Sequence, residues 1–263
     1  MSSINGVDTG NLNSCMGVDV NSISNINGLS ISFGVKDALF FDSTYSDKVT
    51  LPRSFATNTR TISTWVKPAY TTYNGMPREF IYAQYGSSGQ RTTYLEFRET
   101  GVLRTYIPTT RTGNDSAIIE SNEGQYFNEN QWYYISVTID SSDDTAKMYV
   151  DGVLQDNTAS SREAFSRSGA DFVWGSFGTY LSTLRFNGTL KGLNLWNVSR
   201  TESEIVSDMT RVWTGEESNL KAYFPLDEGS GSTITDMNGT YSGTISTTNT
   251  TPNYINDVMW VVS

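Results

Sequence analysis

Between Ala38 and Ser246 the chain is a succession of short segments in which apolar and polar residues alternate, each broken by turn-forming residues. This rhythm constrains the fold more than any other feature, because a period of two belongs to strands with one face buried. Thr61 to Lys67 is the clearest case. Ile62, Thr64 and Val66 fall on one face, and Thr61, Ser63, Trp65 and Lys67 on the other. Further strands are predicted over 38–41, 48–51, 79–84, 93–97, 103–107, 132–140 and 146–150, and again over 171–175, 188–196, 221–225 and 241–245. Asp151-Gly152, between Thr145–Val150 and Val153-Leu154, has the composition of a two-residue hairpin turn. A single helix is expected, with Ser199 as N-cap and Glu202 and Glu204 in the first turn, ending near Met209 or Val212. The chain is therefore predicted to be all-β, a two-sheet antiparallel sandwich with one short helix.

Composition agrees with that reading and narrows the partners. Aromatic residues make up 13% of the 263 and glycine numbers 22, which suits pleated strands and frequent turns. A net charge of −10 with no basic run leaves nothing to neutralise phosphates, so nucleic acid is not an expected partner, and anionic membranes are disfavoured for the same reason. Cys15 is the sole cysteine, which excludes an intramolecular disulfide. The first residues, MSSINGVDTGNLNSC, have neither a basic n-region nor an apolar h-region, so no signal peptide is expected. No apolar run is long enough for a spanning helix, and membrane insertion is not expected.

The first 36 residues have a different rhythm. Gly6, Gly17 and Gly28 are spaced by 11, within Ile4-Asn5-Gly6-Val7, Cys15-Met16-Gly17-Val18 and Ile26-Asn27-Gly28-Leu29. Each unit places glycine where a turn would need positive φ, between apolar neighbours. A unit this short cannot bury a core by itself, so Ile4, Val7, Val18, Ile23, Ile26 and Leu29 are expected to contact neighbouring units or another chain. Three regions follow: an extended repetitive arm at 1–36, a sandwich domain at 37–246, and a polar linker with an apolar tail strand at 247–263.

Four segments in order carry a family resemblance. They are Leu39-Phe40-Phe41-Asp42 with Thr61 to Pro68; Asn130 to Thr138 leading to Lys147-Met148-Tyr149-Val150-Asp151-Gly152; Phe186 to Asn197; and Leu220 to Gly231. Together they are similar to the laminin-G-like jelly rolls of the concanavalin A-like lectin/glucanase superfamily. The resemblance implies a jelly roll in which Trp65 and Trp132 are core aromatics of facing sheets. The sequence departs from the family at Tyr134, where relatives carry His, and at Lys191, where an acidic residue often lies near a calcium site. No metal is therefore expected; Asp42 and Asp47 are the oxygens a calcium would use.

Catalysis is not expected either. Superfamily members that cleave glycans aim several carboxylates from one strand into one cleft, and no Glu-x-Asp-x-x-Glu pattern exists here. Glu96 and Glu99, three apart in a predicted strand, point to opposite faces. With no histidine in the chain, a Ser-His-Asp or Cys-His device cannot form. Asp140, Asp143 and Asp144 read as a solvated turn. Binding remains, and Tyr70, Tyr73, Tyr82, Tyr85 and Arg91 gather in a turn-rich region suited to a sugar. Ser176 to Arg185 is a second candidate surface.

A lectin-type domain, no leader and a repetitive arm together predict a non-enzymatic phage virion accessory protein, a capsid decoration or fibre component. The arm also resembles the N-terminal repeats of phage fibre and head-associated proteins. Such a protein would be made in the host cytoplasm, sit on the virion surface, form homo-oligomers and meet other virion proteins through the arm, with surface polysaccharide as ligand. The alternative is a carbohydrate-binding module or bacterial surface adhesin not attached to a virion. A degenerate glycoside hydrolase is a third reading, which a carboxylate pair facing one groove would support.

Overall fold

In the computed structural model the alternating segments pair into two antiparallel sheets. The residues described are 36–52, 59–69, 78–85, 91–98, 101–108, 116–122, 127–143, 145–155, 159–160, 171–177, 184–252, 255 and 259–262, with six short strands nearer the N-terminus. Those six form three ribbons: β1 (Ser3–Ile4) with β2 (Val7–Asp8), β3 (Ser14–Cys15) with β4 (Val18–Asp19), and β5 (Asn25–Ile26) with β6 (Leu29–Ser30). They recur at the spacing of the glycine repeat.

The sandwich begins with β7 (Ala38–Phe41), β8 (Lys48–Leu51), β9 (Arg60–Pro68), β10 (Glu79–Tyr85), β11 (Arg91–Phe97), β12 (Leu103–Pro108) and β13 (Ser116–Glu120). It continues with β14 (Tyr133–Asp140), β15 (Thr145–Val150), β16 (Val153–Leu154), β17 (Ala159–Ser160), β18 (Asp171–Trp174) and β19 (Gly188–Trp196). Helix α1 (Glu202–Asp208) follows, then β20 (Leu220–Phe224), β21 (Thr233–Thr235), β22 (Ser242–Ser246) and β23 (Trp260–Val261). One sheet has the order β13-β12-β11-β10-β18-β8-β22-β21. The other runs β16-β15-β14-β9-β19-β7-β23, with β17 beside β15 and β20 beside β19. Along one edge, β19 pairs its first residues with β7 and its last with β20.

Facing side chains fill the space between the sheets. Leu39, Ile62, Val66, Val137 and Leu190 from one sheet meet Val49, Ile81, Leu95, Phe172 and Trp174 from the other. The parity read from β9 holds: Ile62 and Val66 are in the core, while Trp65 and Lys67 are half-buried outside it. This corrects the expectation that Trp65 and Trp132 are core aromatics. Trp65 shares its face with Ser63 and Lys67, and Trp132 lies just before β14 and is also half-buried. The buried tryptophans of the core are Trp174 and Trp260. Trp260 belongs to the tail strand β23, which pairs with β7 and ties its indole N–H to the Gly231 carbonyl at 2.9 Å.

Asp151 and Gly152 have φ of 50° and 79°, the two left-handed residues of a type I′ turn. Asp151 also accepts the Tyr134 backbone N–H at 2.7 Å. A Cβ at Gly152 would lie 2.6 Å from Val206, so glycine is needed there for helix packing as well. The helix cap lies two residues after the predicted one. Thr201, not Ser199, is the N-cap: each has a glutamate three residues on, Glu204 and Glu202 respectively, and it is Thr201 and Glu204 that complete the capping box. Strands β13, β17 and β21 were not predicted.

Candidate functional site

Helix α1 lies on the outer face of the nine-stranded sheet, where Ile205 packs on Tyr134 and Tyr149 with Met209, Trp65 and Leu154 around them. The helix covers only part of that face. Beside it opens a cleft of about 590 Å³, within the range of roughly 300–1,000 Å³ common for small-molecule sites. Trp65 of β9, Lys191, Gly192 and Asn194 of β19 and Tyr223 of β20 form its floor, and Trp132 stands at its rim. The end of the helix and the chain after it, through Asp208, Met209, Arg211 and Trp213, form the wall.

Local sequence explains the shape of the floor. Between Lys191 and Asn194 the pairing of β19 with β9 slips register. Gly192 sits in that bulge with φ +57°, a conformation glycine adopts without strain. A Cβ there would stand 3.7 Å from the Tyr223 ring and 3.8 Å from Trp65, so the absence of a side chain keeps the space between these two rings open.

The aromatic walls are braced. Trp213 stacks on Tyr223 with centroids 4.7 Å apart and an interplanar angle of 26°, and leans on Trp196 at 5.8 Å. Trp65 meets Tyr134 at 5.0 Å. Lys67 places its ammonium 4.8 Å from the Trp132 ring, and Arg211 its guanidinium 5.6 Å from Trp213. Behind the wall, buried Arg200 lies 3.9 Å over Trp196 and donates to both oxygens of Asp208 at 3.1 and 2.9 Å. Asp208 also accepts from Arg211 at 2.9 Å. Lys191 pairs with Asp37 at 2.6 Å. Burial, with the nearby charges of Asp227, Asp37 and Glu217, pushes the Tyr223 hydroxyl up to about 12.

The residues predicted from sequence to bind sugar do not converge on this cleft. Tyr82 is packed inside the sandwich, stacked on Phe172 at 5.3 Å. Tyr85 and Arg91 face each other across the end of the β10–β11 pair; their side chains, like all of Tyr70 and Tyr73, lie outside the described residues. In the second candidate surface, Ser176 bridges Arg185, whose guanidinium donates to the carbonyls of Ser43 and Thr44. Of the arm positions, Ile4, Val7, Val18, Ile26 and Leu29 lie in the ribbons, with Ile23 outside the described residues.

Asp42 and Asp47 do not fit a calcium cage well. Asp42 accepts the Thr44 N–H and Asp47 the Asp42 N–H, so both carboxylates close their own turn. Among the described residues no three acidic, histidine or cysteine side chains gather as metal ligands. Glu96 is fully buried among Arg78, Arg98 and Arg104, while Asp140 and Asp143 cap the turn that joins β14 to β15.

A two-sheet antiparallel sandwich carrying an aromatic cleft beside its helix defines a lectin-like module. The sequence over residues 42–206 matches a laminin-G-like family of the concanavalin A-like lectin/glucanases superfamily, and the chain belongs to that family. Solved structures share its fold, among them the following two. A candidate carbohydrate-binding protein from Bacteroides ovatus superposes with a TM-score of 0.61 at 18% identity, covering 92% of this chain and 68% of its own. A heptameric SAP-like pentraxin from Limulus polyphemus gives 0.50 at 17% identity, covering 66% and 82%. No curated protein matches the sequence.

Proposed function

We propose that this protein is a non-catalytic glycan-binding module that holds a sugar in the cleft between Trp65 and Tyr223. The observation that carries the reading is the cleft itself, which sets aromatic faces beside hydrogen-bonding groups at a bulge that leaves the floor open. A pyranose ring has an apolar face of C–H groups and a rim of hydroxyls, and such a surface complements both. Bond cleavage would need a second carboxylate across the ligand, and Asp208, the acidic side chain lining the cleft, is engaged by two arginines. The fold shared with the Bacteroides protein is consistent with this reading.

Glycan-array screening followed by calorimetry tests it. Trp65→Ala and Tyr223→Ala should each weaken binding of the best glycan by about tenfold or more, as removal of a central aromatic contact does. Unchanged affinity in both, with the fold intact, would place the sugar elsewhere.

A second reading concerns where the module works. Three ribbons at one spacing, each two residues per strand, are too small to be stable alone and call for a surface to dock on. The arm would then attach the module to a virion as a decoration or fibre component, with the free-standing adhesin as the alternative. Deleting residues 1–36 should abolish co-sedimentation with particles while leaving glycan binding in place. Co-sedimentation that survives the deletion would remove the arm from this role.

A further inference from the structure

The outer face of the eight-stranded sheet, across the sandwich from the cleft, holds a second group of charged side chains. Alternation along β11 turns Leu95 and Phe97 into the core and Tyr94 and Glu96 outward. On that face Phe80, Tyr94, Tyr106 and Phe177 form an apolar cluster of their own, with Tyr94 and Tyr106 stacked at 4.9 Å. Glu96 is fully buried there, across from Phe80 on β10 and Arg104 on β12.

A buried carboxylate needs a cation and hydrogen bonds, and one guanidinium supplies both. Glu96 has two within hydrogen-bond distance. Arg78, just before β10, donates through Nε at 2.7 Å and Nη2 at 2.9 Å, and Arg104 donates through Nε at 2.9 Å. Arg104 Nη2 lies 2.7 Å from the same carboxylate and 3.4 Å from the Tyr94 hydroxyl, and Arg98 follows at 3.9 Å. The carboxylate thus fixes two forks side by side while balancing the charge of one. Glu120, across from Arg104 in the pairing of β12 with β13, makes no ion pair with it among the described residues.

The outward edges of both forks are open. Nη1 of Arg78 and Nη1 of Arg104 have no hydrogen-bond partner among the described residues, and neither is cut off from solvent. Arg78 is also seated over the rings of Phe80 and Tyr94, at 5.1 and 6.0 Å. Two guanidinium groups locked along one edge, with N–H donors left on the other, match an oxyanion at little ordering cost.

We infer that Arg78 and Arg104 form an anion-binding site on this face, which takes a carboxylate or sulfate group of an acidic polysaccharide. Glu96 is its positioning residue. No basic run marks the site in the sequence, because the pairing of β10, β11 and β12 brings the arginines together. The polysaccharide carrier rests on the glycan-binding reading; the site is separate from the cleft.

The test measures binding of the full chain to dextran sulfate, polygalacturonate and neutral dextran. A net charge of −10 repels acidic polymers in general, so their binding reports a local site. The expected result is binding of a charged polymer that weakens as salt is raised, and the polymer that binds names the oxyanion. Arg78→Gln and Arg104→Gln each leave one guanidinium on Glu96 and should lower that affinity by about tenfold. Glu120→Gln touches neither arginine's ion pair, and should tighten binding by about twofold by removing a negative neighbour. Failure to bind either charged polymer overturns the inference, as does unchanged affinity in the two arginine variants. Should those variants unfold, unchanged affinity in Glu120→Gln overturns it. Acidic-polymer binding that is lost in Trp65→Ala and kept in the arginine variants places the anion in the cleft, which overturns this site and leaves the glycan reading standing.

Discussion

Glu79 and Glu96 are both buried carboxyls of neighbouring strands, yet their surroundings differ. Glu96 is neutralised by three guanidinium groups, two of them at 2.7 Å. Glu79 receives the Asn187 backbone N–H at 3.3 Å, and burial pushes its carboxyl up to about 8 against that one favourable bond. The folded protein therefore holds this proton more tightly than the unfolded chain does. A group with a raised folded value gives its full stability below the unfolded value near 4.5 and loses it as pH climbs towards the folded one. Stability should fall between about pH 5 and 8, by on the order of 3 kcal/mol. Glu79→Gln keeps the acceptor for Asn187 and removes the titration. Urea midpoints across that range should flatten in the variant, which should exceed the wild type at pH 8. A parallel decline in both proteins would assign the slope to other groups.

Helix α1 is only seven residues long and owes its place to its ends and one face. Its N-terminus is closed by Thr201 accepting from Glu204 N–H, with Glu204 accepting the Thr201 N–H at 2.8 Å. Ile205 and Met209 seat it on the sheet, and Asp208 ties its last turn to Arg200. Thr201→Ala should cost about 1 kcal/mol, and lower the melting temperature by about 2–4 °C. Calorimetric scans would read it, and a shift below half a degree would mean that packing alone holds the helix. A strand-scale lesson accompanies this. Strand β19 was read from sequence at its full length, 188–196, because apolar residues run through it. Its bulge at Gly192 was not, since a glycine within a strand pattern does not say whether the register slips. The helix cap lies two residues beyond the one expected, because Ser199 with Glu202 and Thr201 with Glu204 both fit the capping-box pattern and the sequence does not separate them.

At the scale of the whole molecule, the sandwich is a set of local patterns satisfied together. Period-two alternation, the Asp151-Gly152 turn and an apolar tail were all visible along the chain, and each became the element expected of it. Short strands such as β17 and β21 escaped, because two or three residues cannot display a period. The cleft escaped for a different reason. Trp65, Asn194, Trp213 and Tyr223 come from three strands and a loop separated by many residues, and no spacing in the sequence links them. The tyrosines that cluster in sequence near Tyr82 suggested a site, but Tyr82 turns into the core beside Ile81, where the pairing of β10 with β11 slips register. The sequence by itself determined most of the longer strands, the parity of β9 and the lectin-like family, since these depend on neighbours a few residues apart. Only the tertiary structure decided which outward-facing aromatics meet, because that depends on which strands lie side by side and where one of them slips.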